Sequence, residues 1–128
     1  MKKNIIYKNF NKEEIKMNVR KFIDLLKEYF ELKSGISLQP ITDFNEDTLY
    51  CDDCNNFYGY YSEYKNCVIS LMYYAEDVSY CSTIITTVNK DTENIELHKY
   101  LVEFNSTDFS DENLENAKKI IDEFIADL

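Results

Sequence analysis

Between residues 57 and 104 the chain adopts a hydrophobic period of two, and the gaps between its β-forming runs are too short for a parallel crossover. Residues 57–64 are rich in aromatic strand formers. Lys65-Asn66 is a candidate two-residue turn, with Asn the residue that tolerates positive φ. Residues 67–74 (CVISLMYY), 79–88 (SYCSTIITTV) and 95–104 (IELHKYLVEF) read as three further strands. Residues 75–77 are the expected turn between the first two of these, and polar residues 89–94 a hairpin loop. Parallel neighbours need a crossover of a dozen or more residues, so the strands must form an antiparallel meander.

Amphipathic helices flank this region. In the first, Asn11 is the expected cap and Glu14 completes a capping box. Ile15, Val19, Phe22, Ile23, Leu26, Tyr29 and Phe30 then form one apolar face, and Gly35 is the expected stop. Lys12, Lys16, Arg20 and Lys27 share one flank of this helix. In the second, Ser110 is the expected cap, Asp111 and Glu112 suit the helix dipole, and Leu114, Ala117, Ile121, Phe124, Ile125 and Leu128 face the core. Between helix and sheet, Pro40 interrupts any regular pattern, and residues 41–44 begin a strand or an irregular crossing. The reading is one α+β domain over residues 1–128: an antiparallel meander sheet of four or five strands, flanked by an N-terminal and a C-terminal amphipathic helix. Both helices are expected on one sheet face, leaving the other exposed.

Two glycines and one proline exclude a linker-like or disordered chain. No apolar run is long enough to span a membrane, and the lysine-bearing N-terminus lacks the apolar core of a signal peptide, so a cytoplasmic protein is expected. Cys51-Asp52-Asp53-Cys54 has CxxC spacing, but Cys67 and Cys81 are isolated and no second half-site appears. The four cysteines are therefore expected to be thiols, with no metal and no cofactor. The chain lacks Gly-rich phosphate loops, nucleophile elbows and zinc-protease signatures. Its single histidine, His98, lies in a strand and is not expected to be catalytic. Asp43, Glu46, Asp47, Asp52 and Asp53 do not match a calcium-loop pattern. No enzyme is expected.

Charge is divided along the chain. Residues 1–34 carry nine Lys/Arg and five Asp/Glu, a net of +4; residues 35–128 carry five and nineteen, a net of −14. Such a surface repels nucleic acid and anionic membranes and steers encounters toward basic proteins. Tyr58, Tyr60 and Tyr64 share one strand parity beside the acidic loop. Together with Asp43, Glu46, Asp47, Asp52 and Asp53 they are the predicted partner-binding residues, since tyrosine anchors interfaces and carboxylates grip arginine and lysine.

The expected function is thus a small acidic binding protein that inhibits or masks a basic partner, such as a nuclease or another nucleic-acid-binding protein. Phage anti-defence proteins and immunity proteins against nuclease toxins have this general character. One alternative is a homodimeric acidic chaperone or adaptor. The helix–sheet–helix order loosely resembles secretion chaperones of bacterial export systems, although a middle helix is missing. Another is a small-ligand-binding domain with its pocket between helices and sheet.

Overall fold

The computed structural model describes residues 17–42, 57–77 and 80–128. Helix α1 spans Val19–Ser34. A five-stranded antiparallel sheet follows: β1 (Gln39–Pro40), β2 (Phe57–Tyr64), β3 (Cys67–Asp77), β4 (Tyr80–Asn89) and β5 (Ile95–Tyr100), in that spatial order. Helix α2 spans Asp111–Ala126. The meander and the helix at each end agree with the α+β reading.

Local chemistry sets the element ends. The first described helix starts at Val19, whereas the sequence reading began its helix after Asn11. Asn18 takes an extended conformation, and its side-chain oxygen accepts the Lys21 N–H at 2.9 Å. An Asx residue that satisfies an orphan donor defines a helix start; the predicted cap, Asn11, lies outside the described residues. Gly35 ends the helix at φ 77, with its N–H on the Glu31 carbonyl. Ser110 caps α2 as expected, accepting from the Asn113 N–H at 3.3 Å. Replacing Ser110 by alanine should cost about 0.5–2 kcal/mol in urea unfolding, because this donor would lose its partner.

The strands depart from expectation in four places. Residues 75–77 continue β3, across a register irregularity between Ala75 and Asp77, and do not form the turn. In the Lys65-Asn66 turn it is Lys65 that takes positive φ, at 57°. The last strand ends at Tyr100 because Leu101 and Val102 bend inward and are buried. The predicted strand start at 41–44 is displaced to Gln39–Pro40, with Asp43 and Phe44 outside the described residues. A proline is tolerated there because β1 is an edge strand.

Pairing fixes two sheet faces. Tyr60 opposes Leu71, which opposes Ile85; Ser62 opposes Ile69, which opposes Thr87. These side chains face the helices. Phe22, Ile23, Leu26 and Phe30 of α1 and Leu114, Ala117, Ile121 and Phe124 of α2 close over them with Leu38, Leu101, Val102 and Phe109. Each fully buried side chain of this size contributes about 1.5–3 kcal/mol. Phe22 and Phe109 rings lie 4.9 Å apart, and Phe30 meets Phe124 edge-on at 6.4 Å. Tyr29 reinforces the helix pair by donating to both carboxylate oxygens of Asp122, at 2.8 and 3.0 Å. Both helices therefore occupy one face of the sheet. The opposite face carries no described element.

Candidate protein-interaction face

Period-two alternation places Tyr61, Val68, Ser70, Met72 and Tyr74 on the face away from the helices. Ser82, Ile84, Thr86, Val88, Ile95, His98 and Tyr100 share it. None of these strand positions is a lysine or arginine. At one end the aromatic rings form a continuous run. Tyr74 meets Tyr80 at 6.5 Å, Tyr80 meets Phe104 at 5.2 Å, Phe104 meets Tyr100 at 5.8 Å and Tyr100 meets His98 at 5.0 Å, all edge-to-face or nearly so. Rings held this way keep a fixed surface, since edge-to-face contact is the preferred geometry of aromatic pairs. Ile95 is 61% exposed, Tyr100 45%, Phe104 43% and Tyr80 39%. Apart from Leu32, these are the exposed large apolar side chains among the described residues. Their concentration around β5 is what distinguishes this patch from scattered surface hydrophobics. At the β1 side, Ile41, Thr42, Tyr61, Val68 and Ser70 line a shallow cleft of about 430 Å³ on the same face.

Of the residues predicted to bind a partner, Asp43, Glu46, Asp47, Asp52 and Asp53 lie outside the described residues. Tyr58, Tyr60 and Tyr64 do share a parity, but it is the helix-facing one. The Tyr58 and Tyr60 hydroxyls both donate to Asp24 Oδ1 of α1, at 2.7 and 2.6 Å, and their oxygens stand 3.2 Å apart. Arg20 lies over the Tyr58 ring at 4.7 Å and Lys27 near the Tyr60 ring at 5.3 Å. Two members of the basic flank are thus engaged with tyrosines of the same fold, and Lys27 also pairs with Glu31 at 3.3 Å. Tyr58 and Tyr60 are a polar clasp between α1 and β2.

Burial, then the hydrogen bonds to Asp24 and Tyr58, push the Tyr60 phenol far above its ordinary value. In the unfolded chain this phenol ionises near pH ~10. Its contribution to stability is therefore complete below that pH and is lost as pH rises toward the folded value. Urea midpoints should fall from about pH 10 upward, and Tyr60→Phe should make that fall shallower than in the parent. An unchanged slope would mean that the clasp does not hold the proton.

Tyr64 lies apart, with the Lys65 ammonium 5.1 Å from its ring. It lines a cleft of about 320 Å³ with Cys67, Thr87, Glu96, Leu97 and Asp127, at the mouth between sheet and α2. Here the Cys67 thiol donates to Glu96 at 3.4 Å. Partial desolvation and this bond raise its pKa, which disfavours the thiolate and hence nucleophilic chemistry. Cys81 is a second free thiol, buried at the other end of the sheet. Its pKa is raised by burial, partly offset by Tyr73. Cys51 and Cys54 lie outside the described residues. Among the described residues no three His, Cys, Asp or Glu side chains gather as a metal site would require. No described helix is long and apolar enough to cross a membrane.

The aromatic outer run was missed in the sequence because Tyr74, Tyr80, Tyr100 and Phe104 come from three separate segments. Parity within each strand was visible. The partner strand that brings the rings together was not. No protein-family model, curated protein or solved structure matches this chain.

Proposed function

We propose that this is a small acidic binding protein that masks a basic surface on a partner protein without catalysing a reaction. The observation that carries this reading is the outer sheet face, over which no described element lies. It presents a braced aromatic patch, free of strand lysines and arginines, within a region whose net charge is −14 over residues 35–128. Tyrosine and phenylalanine held rigidly in advance lose little entropy on contact and make effective anchors. Acidic surroundings accelerate encounter with a basic partner more than they tighten the final complex.

The test is isolation of the native complex from source cells, followed by reconstitution from purified components. The expected partner carries net positive charge at the contact surface. Its association rate should drop by about tenfold or more as salt is raised toward physiological strength. Paired replacement Tyr100→Ala and Phe104→Ala should act mainly on dissociation, accelerating it by roughly tenfold or more. A neutral or acidic partner, or an association rate indifferent to salt, would overturn the reading.

A further inference from the structure

Resting on the binding-protein reading, we propose that the partner contributes an extended segment of alternating apolar and basic residues, which adds to the sheet as a sixth strand beside β5. The sheet ends at β5, and among the described residues no strand pairs with its far side. The Leu97 N–H donates to Thr87 Oγ1 at 3.1 Å, and its carbonyl accepts from Thr86 Oγ1 at 2.8 Å. The Leu101 N–H reaches the Thr83 carbonyl at 2.7 Å. Main-chain groups alternate in direction along a strand, so those of His98 and Tyr100 point away from β4, toward the open edge.

The two sheet edges are not equivalent. The middle of β2 is covered by β1, with Pro40 opposite Tyr60 and the Ile41 N–H on the Gly59 carbonyl. Edge strands are usually guarded by exposed charge, above all lysine. The only lysine on β5, Lys99, lies 3.8 Å from Glu123 of α2, on the helix side.

Side-chain chemistry selects the occupant. Along the outer side of β5 stand Ile95, His98 and Tyr100, with Phe104 just beyond. Along the helix side stand Glu96, Leu97 and Lys99, with exposed Glu123 of α2 beside Lys99, so carboxylates outnumber ammonium groups two to one. An added strand whose apolar residues project to the outer face and whose arginines or lysines project to the helix side complements both rows. Main-chain pairing supplies affinity, and the alternating side chains supply specificity. A one-residue slip would set apolar groups against carboxylates, so one register parity is selected.

The probe is a capped octapeptide of alternating valine and arginine. At saturation it should slow hydrogen exchange at the His98 and Tyr100 amides at least tenfold, while a valine–glutamate counterpart should not. Two N-methylated versions of the arginine peptide separate main-chain pairing from mere charge. Methylation at the valines or at the arginines should abolish binding in one case and spare it in the other, because only one set of N–H groups faces β5. Equal binding of both versions, or binding without protection of these amides, overturns the proposal. So does concentration-dependent protection of the edge in the free protein, which would give the edge to a second copy. A basic native partner that binds with strong salt dependence yet leaves the His98 and Tyr100 amides unchanged would overturn this proposal alone and leave the masking function standing.

Discussion

Phe124→Ala is expected to destabilise the protein by about 3–5 kcal/mol, the usual cost of emptying a fully buried phenylalanine site. Phe124 has no exposed surface, and its ring meets Phe30 edge-on where the two helices cross the sheet. The cavity cannot readily collapse. Helix α1 is held to β2 by the hydroxyls of Tyr58 and Tyr60 on Asp24, and α2 is held to α1 by Tyr29 and Asp122. Total stabilities of small domains are about 5–15 kcal/mol, so the variant should be marginal at room temperature. Urea titration would show the loss as a lower midpoint at nearly constant slope. Phe104→Ala is the matched control: the same chemistry on an exposed ring should cost about 1 kcal/mol or less. Similar losses for the two variants would mean that α2 is not docked as described.

Gly59→Ala should be the most damaging single-methyl change, at about 3 kcal/mol. Gly59 opposes Met72 across the β2–β3 ladder. A methyl group built there would overlap the Met72 Cβ, and would lie 2.6 Å from the Leu71 carbonyl oxygen and 2.8 Å from the Met72 Cα. Most of these obstacles are main chain, which cannot move aside without parting the two strands. The cost comes from lack of space, since Gly59 does not have positive φ. Hydrogen exchange would localise the effect, with β2 amides losing protection relative to α2. Gly35 offers a contrast: nothing crowds its Cβ position, but its φ of 77° strains any side chain placed there.

The architecture was legible where local chemistry is decisive. Short polar gaps forced the meander, and Ser110 and Gly35 marked helix ends through the backbone groups they satisfy. The first helix cap was not legible: the expected cap, Asn11, lies outside the described residues, and the described helix is capped by Asn18, whose side chain accepts the Lys21 N–H. The candidate site was legible only in chemical character. Tyr58 and Tyr60 looked available because a hydroxyl on a strand gives no hint that a helix carboxylate, Asp24, will sit above it. The outer patch needed the register of β3, β4 and β5 before Tyr74, Tyr80, Tyr100 and Phe104 could be seen as one surface.

The meander also orders events in time. Each strand pairs with its sequence neighbour, and from β2 to β5 the hairpins need only short loop closures, which are fast. The two helices are the opposite case: Tyr29 and Asp122 meet across nearly the whole described chain. During synthesis α1 emerges before α2, and the one described helix that packs on it, Asp111–Ala126, is made only later. Until then the sheet can assemble with its apolar inner face only half covered. The last helix to appear is thus the one that completes the core, and a nascent chain stalled before it would expose Ile85 and Leu101 to whatever chaperone or aggregation partner is nearby.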